Sequence, residues 1–374
     1  MDLLPPRFAG AAVNPYPPAI VVGQCFPYIS PQDGTLPTGT TSMNQPTSVS
    51  PARPAAWALL LAFALVYISW GTTYLAIKVG VETLPPALFG GVRVCLAGML
   101  LWLYLILRGA EWRLSWNQLP GITLSGLILF VCGNGLINVG ERTVASGVAS
   151  VLAATTTLWM GLLETLWPRG ERLTWLGWLG LLGGLGGVLV LMSPKLGHPA
   201  ELIQDMGPAL VLGSAFAWAL GSFVLRYQPE RGPHLASAAY QMVVGGGSLA
   251  LIGVLLGEPG QLTAASFTPE AIFSFFYLLI VGSLIGFVAY TWLLGHVSAA
   301  LAGTYAYVNP VVAILVGWLL NSEPITLPIV VGMSIILLGV ALVRGGQRSL
   351  VSPSEVKPVA ETRMRSQIRR LVRF

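Results

Sequence analysis

Of 374 residues, 54% are apolar and 9% are charged, with a formal net charge of +5. A soluble domain carries roughly a quarter of its residues as charges, so this chain cannot cover itself with a water-facing surface. Runs of about 20 apolar residues recur, each long enough to span about 30 Å of hydrocarbon, and they are continuously apolar rather than alternating, which excludes a membrane β-barrel.

Residues 1–54 are rich in Pro, Gly, Ser and Thr, and their prolines interrupt any signal-peptide core. They read as a disordered extension, with Met43 as an alternative start. Ten helical spans are expected after it, at about 56–77, 86–108, 119–140, 144–167, 174–193, 207–227, 236–256, 271–293, 298–320 and 327–344. The loops leave no room for a soluble domain. Residues 346–374 form a basic tail, "RSQIRRLVRF" at its end, which suits anionic lipid headgroups rather than nucleic acid. Cys25, Cys95 and Cys132 have no metal or redox spacing, and His198, His234 and His296 fall at span ends.

Alternate loops place Arg53, Arg108, Arg113, Arg169, Arg172, Arg226, Arg231, Arg344, Arg348 and the tail on one side. The opposite side holds Lys78, Arg142 and Lys195. By the positive-inside rule both termini are expected in the cytoplasm of a cell whose plasma (inner) membrane the chain crosses repeatedly.

The sequence also repeats. "WGTTYLAIK" (70–78) aligns with "WALGSFVLR" (218–226) at a spacing of 148, and "ERLTWLGWLGLLGGLGGVLVL" (171–191) with "EPITLPIVVGMSIILLGVALV" (323–343) at 152. Each half has five spans, an odd number, so the halves are inverted across the membrane. Inverted repeats mark alternating-access transporters, whose substrate sits near the midplane between the halves. The halves are residues 55–193 and 207–345, joined by a loop at 194–206.

At "WGTTYLAIKVGVETLPPALFGGVR" (70–93), "GNGLINVGERTVASGVASVL" (133–152) and "GTYAYVNPVVAILVG" (303–317) the chain resembles the drug/metabolite transporter superfamily, specifically the EamA family and its YedA-type branch of bacterial inner-membrane exporters. The resemblance covers about residues 55–345. It implies an all-α polytopic membrane protein whose ten transmembrane helices form two inverted five-helix EamA repeats, exporting small metabolites or amphipathic compounds. One departure is Leu158, which stands where the second half has Pro310 of "NPVV" and puts a shared hinge in doubt.

The polar residues within spans are the candidate pathway. Pro310 removes the helical hydrogen bond to the Ala306 carbonyl and is a candidate hinge. Tyr305 and Asn309 beside it share one helix face; Tyr307 points elsewhere. Asn309 aligns with Thr157, so Thr156 and Thr157 are weaker candidates, because threonines in helices often bond back to their own backbone. Asn134 and Asn138 share a face of the third span and align with Gly286 and Tyr290; an amide pair facing lipid is costly, so they contact substrate or a neighbouring helix. Trp70, Tyr74 and Trp218 are candidate aromatic walls. Arg93, the basic residue well inside a span, reads either as a receptor for a substrate carboxylate or as a rim partner of Glu82 or Glu141. Glu164 reads as an interfacial salt bridge to Arg169 or Arg172, and Glu171 and Glu323 as helix-start residues. The glycines of "LLGGLGGVLV" (181–190) suit close packing of two helices or of two protomers.

No span contains His or Asp, so a Ser–His pair, an aspartate dyad or a His-based zinc site cannot be built at depth, and an intramembrane enzyme is disfavoured. Rings of charge or filter loops of a channel are also missing from the pattern. The expectation is a cofactor-free transporter acting on a small molecule in the lipid bilayer, as a monomer or homodimer. Export is the first reading; an importer or exchanger with the same cavity is the alternative.

Overall fold

The computed structural model describes residues 56–168, 172–196, 205–228, 232–294, 296–297 and 304–348. The N-terminal extension with Met43 and Cys25, the residues Arg169, Glu171, His198 and Arg231, and the tail beyond 348 lie outside the described residues.

Ten helical segments cross in alternating directions. They are α1 (Ala56–Thr83), α2 (Pro86–Leu107), α3 (Leu119–Gly140), α4 (Ser146–Leu166), α5 (Trp175–Leu196), α6 (Gly207–Tyr227), α7 (His234–Leu255), α8 (269–294), α9 (Tyr305–Asn321) and α10 (Leu327–Gly345). Among the described residues nine are long and apolar enough to span a bilayer, and α9 is a shorter apolar helix. The first helix runs six residues beyond the expected end at 77. Lys78 does not stop it, because Val81 beyond it is buried against Phe89 and Leu278; Pro85 and Pro86 do. A two-residue bridge, β1 (Arg172–Leu173) with β2 (Gln347–Arg348), is the one departure from an all-helical chain among the described residues.

The two repeats exchange partners. Helix α1 of the first half packs on α8 and α9 of the second, while α6 packs on α3 and α4. The α2–α7 and α5–α10 pairs join the halves along their whole lengths. Both pairs depend on glycine: a methyl group on Gly91 would lie 2.3 Å from the Ala250 nitrogen, and one on Gly180 2.7 Å from the Gly339 carbonyl oxygen. Gly180, Gly184 and Gly187 therefore serve packing within one chain, whereas Gly183 and Gly186 meet nothing within 4 Å.

The inversion is visible in local geometry as well. Left-handed Gly109 (φ 63°) and Gly257 (φ 78°) follow α2 and α7 at equivalent positions. Both α3 and α8 carry an eight-residue π-helical stretch in mid-span, Leu127–Asn134 and Leu278–Ile285. Helix α4 is interrupted by a turn at Ala154–Thr155, although it has no proline there, while α9 continues through Pro310.

Alternation of the helices gives the bundle two ends. One, the acidic end, carries Glu82, Glu141, Asp205, Glu258 and Glu323; the other, the basic end, carries Arg108, Arg113, Arg172, Arg226 and Arg344.

Candidate functional site

The aromatic candidates fall into two clusters, each built across the repeat interface. In the first, Trp70 of α1 meets Tyr290 of α8 and Tyr305 of α9, with ring centroids 5.1 and 4.7 Å away, and the two tyrosines are 5.6 Å apart. Tyr305 packs edge-on against both other rings, and Trp70 is tilted against Tyr290, so the three rings hold one another in place. The Trp70 indole N–H donates to the Gly282 carbonyl at 3.1 Å, inside the α8 π stretch. A methyl on Gly286 would lie 2.6 Å from that indole nitrogen, so glycine is what lets the ring approach. In the second, Trp218 of α6 lies 5.9 Å from Phe130 and against Gly133 of α3, and Ser214 Oγ donates to the Gly133 carbonyl at 2.7 Å. In each case a side chain from one repeat reaches a carbonyl in the π stretch of the other. Trp218 thus holds the position of Trp70 in the opposite half and does not join the Trp70 cluster.

Arg93 lies on a polar stripe along α3. Its Nη2 donates to Asn134 Oδ1 at 3.3 Å, and Asn138 Nδ2 donates to the same oxygen at 3.1 Å and to the Pro86 carbonyl at 3.1 Å. Nη1 lies 3.5 Å from Ser283 Oγ of α8, and the guanidinium sits 5.9 Å from the Phe89 ring centroid. The amides therefore bond α3 to α2 in this conformation, and Asn138 has no exposed surface. Arg93 makes no ion pair among the described residues. Neither Glu82 nor Glu141 is its direct partner, so the rim-pair alternative gives way to hydrogen bonds with Asn134 and Ser283.

Asn309 is buried in α9 with Oδ1 unpartnered among the described residues. Thr156 Oγ1 donates back to the Ala153 carbonyl at 2.8 Å, next to the break in α4, and Thr157 is half-buried. Tyr74 packs against the apolar core built by α3, α4, α5, α6, α9 and α10. Tyr307 lies under Arg344, 5.3 Å from ring centroid to guanidinium carbon.

Among the described residues Glu164 makes a salt bridge to a helix arginine; Arg169 of the loop lies outside them. The Glu164 side chain is fully buried, 2.9 Å from Arg226 Nη1, and accepts a hydrogen bond from the Tyr227 hydroxyl at 2.5 Å. Sequence order pointed to neighbours in the loop; these two partners come from α6, which the fold brings alongside α4.

Two carboxylates close the acidic end across the repeats. Left-handed Gly257 turns the chain so that Glu258 accepts from the Ala87 and Leu88 amides at 3.1 and 2.7 Å, the first free N–H groups after Pro85 and Pro86. Ser322 (φ 52°) ends α9 likewise, and Glu323 accepts from Ser146 N, Ser146 Oγ and Gly147 N at 2.9, 2.9 and 3.1 Å. A carboxylate at a helix N-terminus satisfies otherwise orphaned amides and the helix dipole together. Lys78 Nζ donates to the Arg142 carbonyl at 3.0 Å, and Thr143 Oγ1 to Asp205 at 2.6 Å.

Glu141, one residue beyond α3, was read from the sequence as a rim group. The structure buries it completely, with neither oxygen hydrogen-bonded among the described residues. Burial pushes its carboxyl well above the ordinary carboxylate range; Lys78 and Arg93 pull against this, and the charge of Glu323 adds to it. Among the described residues no group of three or more His, Cys, Asp or Glu could hold a metal ion.

Residues 56–193 and 205–345 each match the model of the EamA-like transporter family. The chain belongs to the EamA-like transporter family. It is 35% identical over 301 residues to the uncharacterized inner membrane transporter YedA of Escherichia coli K12, covering 80% of this chain and 94% of that protein. It is 28% identical to the uncharacterized transporter YvbV of Bacillus subtilis, covering 76% of this chain and 90% of that one. A solved crystal structure, 21% identical, superposes with a TM-score of 0.54 over 79% of this chain and 99% of its own, and shares the fold. This EamA chain is a multi-pass membrane transporter built from two inverted repeats.

Proposed function

We propose that this EamA transporter exports small amphipathic organic solutes, amino acids or their derivatives among them, by rocking its two halves about a central site. One observation carries the reading: the packing is unequal at the two ends. At the acidic end the halves are joined by Glu258, Glu323 and a shared core in which Val144, Val211 and Ile314 are buried. Toward the basic end the contacts between repeats fall into separate groups, α1 with α9 and α4 with α6. Tyr67 of α1 bonds to Thr304 before α9 at 2.5 Å, while Trp159 and Trp167 of α4 pack edge-on against Phe216 and Phe223 of α6. Two inverted repeats with one end sealed correspond to one state of an alternating-access cycle.

The pathway residues are then Trp70, Tyr74, Thr156, Thr157, Trp218, Tyr290, Tyr305 and Asn309, with Pro310 as the hinge beside them. Asn309 supplies an unpartnered oxygen and the aromatics an apolar wall. Arg93, with Asn134 and Asn138 setting its direction, is the receptor for a substrate carboxylate. The positive-inside bias assigns the basic end and both termini to the cytoplasm of a plasma membrane. Outward transport rests on the resemblance to bacterial exporters.

The test is flux of labelled amino acids and small amphiphiles in proteoliposomes, wild type against Asn309→Ala and Arg93→Gln. A substrate-specific flux that falls at least tenfold in both variants, with unchanged thermal stability in Asn309→Ala, is the expected result. Flux indifferent to both substitutions sinks the assignment of the pathway.

A further inference from the structure

Glu141 is a group that the transport reading does not use. It closes α3, where the negative end of the helix dipole disfavours an anion, and it has no exposed surface and no hydrogen-bond partner among the described residues. The charged and titratable groups around it are accounted for. Tyr74 and Lys78 come from α1, and the Lys78 amine is directed to the Arg142 carbonyl. Arg93 comes from α2 and is hydrogen-bonded to Asn134. Glu323 comes from the α9–α10 turn and is occupied by the α4 amides. Arg142, next in sequence, is exposed, and Asp205 ahead of α6 accepts from Thr143 and the Gly207 amide. Among the described residues no cation is left to neutralise Glu141 by direct contact.

The groups around Glu141 come from both repeats: α1, α2 and α3 from the first, Glu323 from the second. Parting the halves at the acidic end admits water to Glu141, and water is what an ionised carboxylate lacks here.

We propose that Glu141 is a proton-binding site that holds the acidic end of the transporter shut while protonated and gives its proton to the aqueous phase when that end opens. The O–H bond of the neutral acid breaks, water accepts the proton, and the carboxylate remains hydrated until the end closes again. The proposal rests on the alternating-access reading and adds a ligand to it. The sign follows from linkage: the sealed state binds the proton more tightly, so acid favours sealing and alkali favours opening. One proton changes the open-to-sealed ratio by up to tenfold per pH unit, between the ordinary carboxylate value and the raised value of the sealed state.

The experiment needs no transported substrate. Spin labels are placed at Glu82 and Met206, exposed positions on α1 and just before α6 at the acidic end. Cys25, Cys95 and Cys132 are replaced by Ala, and the distance distribution is recorded in liposomes from pH 4.5 to 9. The expected result is a short distance at low pH that gives way to a longer one as pH rises. Glu141→Gln, neutral at every pH and nearly isosteric, is expected to keep the short distance throughout. Two populations in wild type whose ratio ignores pH, or a Gln variant with the wild-type slope, overturns the proton site and leaves the rocking model standing. A single short distance at every pH in both proteins overturns the proton site and the rocking model together. The wild-type profile decides even if the variant folds poorly.

Discussion

Two polar residues illustrate how burial changes what a side chain does. Asn138 bridges the Pro86 carbonyl and Asn134 at zero exposure. Asn138→Ala removes the donor from both acceptors and is expected to cost about 1–3 kcal/mol, read as a lower unfolding temperature in detergent. Its effect on flux is expected to follow that loss, unlike Asn309→Ala, which spares stability. For the Glu164–Arg226 pair the order of damage is predictable. Arg226 is 48% exposed and Glu164 is fully buried. Arg226→Ala takes the cation from a buried carboxylate that keeps the Tyr227 hydroxyl, and is expected to cost about 1–3 kcal/mol. Glu164→Gln leaves an arginine that can turn to water and is expected to cost less. Equal losses in a thermal-shift assay would contradict this account. The sequence showed that these residues are polar at depth, which marks them as partnered. It did not show which partner, because Arg226 and Tyr227 are more than 60 residues from Glu164 and only the α4–α6 contact brings them together.

Among helices, the glycines separate into two classes that composition alone does not distinguish. Gly180 and Gly339 each face the other's backbone at methyl-excluding distance, while Gly183 and Gly186 face open space. Gly180→Val is expected to part α5 from α10 and abolish the folded monodisperse protein. Gly183→Ala is expected to be tolerated, or to raise stability by about 0.5–1 kcal/mol through helix propensity; size-exclusion profiles and melting curves of the two variants check both statements. The spans were readable because about 20 apolar residues admit few alternatives in a bilayer. The π stretches of α3 and α8 were not, since an extra residue per turn leaves the apolar run unchanged. The break in α4 was missed for a related reason: the proline that would announce it belongs to α9, whose helix runs through it. Glu141 was misplaced because Arg142 and Thr143, both exposed, follow it, and the run resembles a rim.

For the transporter as a whole, the repeat was the most legible feature, because two inverted halves must share a register. What the repeat could not give is which end the proposed cycle holds sealed in this structure. That depends on contacts such as Glu323 with α4, whose counterpart Glu171 lies outside the described residues. Glu323→Ala is expected to loosen the acidic end, so that a cysteine placed at half-buried Val148 reacts several-fold faster with a water-soluble thiol reagent. An unchanged rate would mean that the shared core alone keeps this end closed. The same capping contacts bear on how the chain is made. The leading amides of α2 and α4 are satisfied by Glu258 and Glu323, residues synthesised some 170 positions later. The first five helices therefore emerge from the ribosome with two helix starts unfinished, and they wait in the bilayer for the second half to complete them. A ribosome that stalls midway leaves a half-transporter with exposed helix ends, a species that membrane quality control can recognise.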